Sequence, residues 1–167
     1  MVIKEAGLFI FTSISLISCG IYSFTGASIS ADIETVSIGY FQNNASMVQP
    51  TLSNIMTESL KDQFISQTNL SLTDAIGDLQ FEGEITAYTV KPIAIQANET
   101  AAQNRLTISV KVTFTNRLDE NQNYSQSFSH YADFDSSQDL SIIETELIDQ
   151  IVQVLSENIF NKAVANW

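Results

Sequence analysis

Cysteine is almost absent from this chain. Cys19 is the only one, so no disulfide can close within the molecule. Histidine is as scarce, with His130 alone. No Gly-x-Ser-x-Gly turn presents a serine for it to activate, so a nucleophilic hydrolase has no recognisable frame. His130 shares strand parity with Phe128 and Phe134 and reads as a packed sheet residue. Basic residues are also few: 7 Lys and Arg stand against 19 Asp and Glu, a formal charge of −12. That excludes a nucleic-acid partner, because phosphate binding needs clustered Lys and Arg. It also disfavours adhesion to anionic lipid headgroups. A calcium loop is incomplete. "DFDSSQD" offers Asp133, Asp135 and Asp139, but Gln138 stands where such a loop needs glycine, and Glu144 at the twelfth position falls inside a predicted helix. Capping of that helix explains the acids more simply. The expectation is a protein that is not an enzyme and holds no metal or other cofactor.

Long apolar runs are missing too. The one candidate, Ala6 to Ile17, rises only about 18 Å as a helix, against about 30 Å of hydrocarbon. With Lys4 ahead of it, this predicts a signal peptide over 1–18 rather than a membrane span. The run ends in Leu16-Ile17-Ser18-Cys19-Gly20, which resembles the bacterial lipobox. On that resemblance Cys19 becomes the first mature residue and the lipid attachment point. It would carry diacylglycerol on its sulfur and an N-acyl chain, palmitate being typical, on its amine. Each buried CH₂ contributes about 0.8 kcal/mol, so two or more chains hold where one does not. Gly20, in place of an aspartate, implies sorting to the outer membrane, and the lack of an acidic export tag implies the periplasmic leaflet. Residues 19–32 then form a lipidated tether and 33–167 a single domain. Loss of the signal peptide removes Lys4 and Glu5 together and leaves the charge balance unchanged.

Within that domain, two segments carry helical periodicity. Over 50–67 the apolar positions are Leu52, Ile55, Met56, Leu60 and Phe64, with Pro50 suited to the first turn. Over 139–164, Ile143, Leu147, Ile151, Leu155 and Ile159 recur every four residues. Ser141 with Glu144 makes a possible capping box there, with Ser137 and Asp139 as rival caps. Four segments alternate as strands. Residues 34–41 place Val36, Ile38 and Tyr40 on one side. Residues 79–90 slip phase near Ala87 and Tyr88, which predicts a bulge. Residues 105–117 set Leu106, Ile108, Val110, Val112 and Phe114 opposite Thr107, Ser109, Lys111, Thr113 and Thr115. Residues 124–134 set Tyr124, Phe128 and Phe134 opposite Ser125, Ser127 and Ser129. The order β-α-β-β-β-α, with strands apolar on one face only, predicts an α+β two-layer sandwich: a four-stranded sheet covered on one face by two helices.

The other sheet face is then rich in Ser and Thr and poor in charge. Two readings fit it: contact with another polar protein surface such as a barrel lumen, through Thr107, Ser109, Thr113 and Thr115, or the ordinary β-propensity of Thr on a solvated face. Arg105, Lys111 and Arg117 share the parity of that face at six-residue spacing, and Lys91 lies near the end of the neighbouring strand. They are candidates for an anionic ligand, or scattered solubilising charge.

The segments "CGIYSFTGASI" (19–29), "VQPTLSNIMTESLKDQF" (48–64), "GDLQFEGEITAY" (77–88), "NRLTISVKVTF" (104–114), "FSHYADF" (128–134) and "IFNKAVANW" (159–167) together resemble the LptE family of lipopolysaccharide-assembly lipoproteins, in a branch distant from the proteobacterial one. That resemblance implies a two-helix, four-stranded sandwich that plugs an outer-membrane β-barrel of LptD type. It implies help in assembling that barrel and in passing lipopolysaccharide to the outer leaflet. Lys91, Arg105, Lys111 and Arg117 become the lipopolysaccharide-contact candidates, by strand location. The alternative is an auxiliary lipoprotein of an envelope lipid transporter that carries lipid in its own cavity, which predicts an apolar pocket between helices and sheet.

Overall fold

Glycine, tyrosine and phenylalanine at 39–41 interrupt what the sequence presents as one N-terminal strand, and the interruption organises the fold. In the computed structural model, which describes residues 29–93 and 102–164, the chain forms β1 (Thr35–Ile38), β2 (Gln42–Asn43), α1 (Leu52–Gln67), β3 (Ser71–Leu72), β4 (Leu79–Ile93), β5 (Gln103–Asn116), β6 (Tyr124–Asp135) and α2 (Leu140–Val164). A single 3₁₀ turn, Glu120–Gln122, sits between β5 and β6. The signal peptide, Cys19 and the tether as far as residue 28 lie outside the described residues, as do 94–101 of the β4–β5 connection and 165–167.

The sheet is six-stranded and mixed, not four-stranded. Its order is β3-β1-β4-β5-β6, with β2 continuing along β4 beyond β1. β1 and β2 both run parallel to β4, with Val36 opposite Leu79 and Asn43 opposite Ile85. The parallel pairing requires a crossover, and α1 supplies it. β4, β5 and β6 form an antiparallel meander. The two extra strands have clear causes. β2 is the second half of the broken first strand, and β3 is a two-residue edge too short to show periodicity.

At the break, Tyr40 turns out to solvent at 56 % exposure, while Phe41 is fully buried. The expected alternation through Tyr40 is therefore corrected. An unbroken strand would have sent Phe41 to the open face; the break rotates it into the core. The ring fills a hole above Gly83, where an added Cβ would lie 2.3 Å from Phe41 Cε1. The freed Phe41 N–H donates to Thr57 Oγ1 at 3.1 Å, and that hydroxyl donates to Ser53 O at 2.7 Å inside α1. Each buried polar group at the break is thus satisfied.

The slip in β4 is a bulge. Ile85 pairs with Val110 and Ala87 with Ser109, so Thr86 is extra. The bulge restores the inward phase for Tyr88, which is buried and donates its hydroxyl to Glu144 Oε1 on α2 at 2.5 Å. Burial, and then the Glu144 carboxylate, raise the Tyr88 hydroxyl well above the ordinary tyrosine range. Glu144 is therefore not half of a capping box. Asp139 caps α2, accepting from Ser141 N at 3.0 Å and Ser141 Oγ at 2.8 Å. Pro50 precedes the Thr51 N-cap of α1 rather than occupying its first turn.

Both helices cover one face. Leu52, Met56, Leu60 and Phe64 of α1 and Leu147, Ile148, Ile151, Leu155, Ile159 and Phe160 of α2 meet the inward residues of β4 and β5. Phe64 lies 4.9 Å from both Phe81 and Phe160, and Phe81 lies 4.8 Å from Phe114. These tilted and edge contacts pack side chains between helices and sheet.

A hydroxyl-lined open sheet face

The uncovered face can be read row by row from the register. Across β4, β5 and β6 the rows are Lys91–Arg105–Asp133, Thr89–Thr107–Tyr131, Ala87–Ser109–Ser129, Glu84–Lys111–Ser127 and Glu82–Thr113–Ser125, with Gln80–Thr115 at the end. Thr107, Ser109, Thr113 and Thr115 therefore share this face as the strand parity predicts. Their hydroxyls join the strands sideways. Ser109 Oγ lies 2.9 Å from Ser129 Oγ, and Thr113 Oγ1 lies 3.2 Å from Ser125 Oγ. Such pairs leave these hydroxyls already hydrogen-bonded to one another, with lone pairs still open to a partner.

The basic residues divide into separate places rather than one track. Lys91 and Arg105 are register partners at one end. Arg105 is committed: Nε and Nη2 donate to Asp133 at 2.7 and 2.8 Å, and its Cζ lies 3.5 Å from the Tyr131 ring centroid. The ion pair holds the Asp133 carboxyl below the usual carboxylate range and raises the guanidinium. Stacking on Tyr131 fixes the fork in place. Lys111 lies in the middle of the face, opposite Glu84, and lines a shallow depression of about 300 Å³ with Gln42, Asn44, Glu82 and Thr113. Arg117 falls just past the end of β5, where its backbone N–H donates to Asp78 O at 3.0 Å.

Tyr131 was not singled out from the sequence, and Asp133 only as part of the calcium-like segment, yet the two define one end of this face, with Tyr131 46 % exposed. Their odd positions in β6 carried the signal, but only the β5–β6 register puts them opposite Thr107 and Arg105. His130 points to the helix side, half-buried, with its ring 5.7 Å from that of Tyr131. The three aspartates of the calcium-like segment serve separate ends: Asp133 holds Arg105, Asp135 accepts from Ser137 N and Oγ, and Asp139 caps α2.

One family model, described as LptE, lipopolysaccharide-assembly, matches residues 33–163. The chain belongs to the LptE family. LptE proteins are outer-membrane lipoproteins that act in lipopolysaccharide assembly and are not enzymes. The fold agrees at low identity with solved structures. A minor lipoprotein of Acinetobacter baumannii is 12 % identical and superposes with a TM-score of 0.53 over 81 % of this chain and 95 % of its own. A putative neuraminyllactose-binding hemagglutinin homologue of Helicobacter pylori is 10 % identical, with a TM-score of 0.52 over 84 % and 88 %. At such identities the likeness is one of fold. No curated protein sequence matches this chain. Among the described residues of this LptE protein, no helix is long and apolar enough to cross a membrane.

Proposed function

We propose that this protein is held at the periplasmic leaflet of the outer membrane by lipid on Cys19, as a domain of residues 33–167 on a short tether. There it sits in the lumen of an LptD-type β-barrel, helps that barrel assemble, and assists the passage of lipopolysaccharide. The observation that carries this reading is the open face of β4, β5 and β6. Nine Ser, Thr and Tyr hydroxyls line it beside three bases and three acids, so the face is rich in hydroxyls and balanced in charge within a chain of net charge −12. A closed barrel has no strand edge to offer, so a plug must engage it side chain to side chain, and a hydrogen-bonding face suits that contact. The same argument makes Thr107, Ser109, Thr113 and Thr115 the partner-facing residues.

Direct lipopolysaccharide contact falls best to Lys91 and Lys111. Arg105 spends its fork on Asp133, and Arg117 sits past the strand. Mild detergent extraction of the native outer membrane tests the assembly. The tagged full-length protein is expected to co-purify with a large β-barrel, and elution as a free species in every gentle detergent contradicts the reading.

A further inference from the structure

β6 is the outer strand of the sheet. It pairs with β5 from Tyr124 to Asp135 and, among the described residues, with no strand on its other side. Natural edge strands are cut short or guarded by Lys, Pro or a bulge, because a free row of N–H and C=O groups templates another strand. The opposite edge follows that rule, since β3 has two residues. β6 does not. It is 12 residues long, contains no Lys, Pro or Gly, and is uncharged as far as Ala132 apart from His130.

We infer that this edge pairs with β6 of a second copy of the chain, antiparallel about a two-fold axis at Ser129. In that register the strand is complementary to itself. On the open face Ser129 meets Ser129, Ser127 meets Tyr131 and Ser125 meets Asp133. On the helix side Phe128 meets His130 and Tyr124 meets Phe134. The open-face pairings repeat the chemistry that already joins β5 to β6, where Ser109 meets Ser129 at 2.9 Å and Thr113 meets Ser125 at 3.2 Å. No two carboxylates face each other, which would oppose pairing. The next register, with its axis at His130, sets two imidazoles side by side and carries Tyr124 past the paired strand. One strand per copy is less than the about 20–30 residues a side of a standard interface, so the pairing is weak and concentration-dependent. The charge of −12 on each copy opposes it, and salt screens that repulsion. The inference concerns copies outside a barrel, since a domain seated in a lumen has its β6 edge enclosed, and because Ser129 lies on the open face as well as at that edge, self-association and barrel co-purification are read separately.

Sedimentation velocity of the full chain in mild detergent, over a concentration series in low and high salt, reads the equilibrium. A monomer–dimer equilibrium that tightens with salt is expected. Ser129→Lys, which sets two ammonium groups on the axis, weakens it about fivefold, while Ser129→Thr leaves it unchanged. Independently, Ser129→Cys in the full chain is expected to give a disulfide-linked dimer on mild oxidation, because residues opposite each other in an antiparallel pair lie within disulfide reach. A wild type that stays monomeric at every concentration and salt overturns the inference. So does a dimer indifferent to a folded Ser129→Lys variant, or a Ser129→Cys thiol that captures a different protein instead of a second copy.

Discussion

At the scale of single residues, two side chains settle how the N-terminal strand enters the fold. Phe41 needs the space that only a glycine at 83 leaves. Gly83→Ala would put a methyl carbon 2.3 Å from the Phe41 ring, inside a core where that ring is fully buried. It is expected to lose about 1–3 kcal/mol of stability by overpacking, read as a lower urea midpoint at unchanged slope. A second variant carrying Phe41→Leu as well should lose less than the sum of the two changes, because the smaller side chain makes room. Asp78 is the other anchor. Its Oδ2 accepts from Thr35 Oγ1 at 2.7 Å, Glu34 N at 3.1 Å and Thr35 N at 3.0 Å, and these bonds, the Thr35 hydroxyl foremost, hold its carboxyl below the usual carboxylate range. A carboxyl with a depressed folded pKa stabilises the fold above its unfolded value of about 3.9, and that contribution is lost as pH falls through the folded value. The wild type should therefore lose more stability than Asp78→Asn does as pH falls below about 4, while Asp133, Asp135 and Asp139, whose carboxyls are also held low, contribute to acid loss in both proteins. Denaturation midpoints of the two proteins measured from neutral to acid pH check this; parallel curves would contradict it.

At the scale of elements, the bulge in β4 separates what alternation can reveal from what it cannot. Leu106 to Phe114 alternate without a fault, and β5 is observed as its side-chain pattern predicts. The four-residue recurrence from Ile143 to Ile159 likewise marks α2. The slip at Ala87 and Tyr88 was visible as a fault in period, and it proves to be one extra residue, Thr86. What periodicity could not reveal is pairing. The split of 34–41 into β1 and β2 depends on Gly83, 42 residues beyond Phe41 and opposite Val112 on β5, and β3 forms because Ser71 finds Thr35 in parallel register. The same limit applies to the open face. Its hydroxyls were legible from strand parity, whereas the Arg105–Asp133–Tyr131 cluster needed the β5–β6 register. The bulge also supports a test. Deleting Thr86 should keep the inward phase of Ile85 and Tyr88 and leave a folded protein with near-native circular dichroism. Deleting Thr113 should turn Phe114 toward solvent and abolish cooperative unfolding.

At the scale of the whole molecule, the fold is one-sided. Two helices spend their apolar faces on the same side of the sheet, and the other side carries short hydroxyls joined across β5 and β6. Residues 33–163, which carry that asymmetry, are the part matched by the LptE family, whose members act in lipopolysaccharide assembly. A net charge of −12 disfavours adhesion to anionic headgroups, and in the proposed reading the anchor at Cys19 holds the protein to the bilayer while the open face meets the barrel. The measurement that tests this division most directly is photo-crosslinking in living cells from residues at Ser109 and Thr113, with Glu157 on the exposed side of α2 for comparison. Adducts to an outer-membrane β-barrel from both strand positions, and little from Glu157, are predicted. No barrel adduct from the strand positions, or equal capture from the helix, would contradict the account.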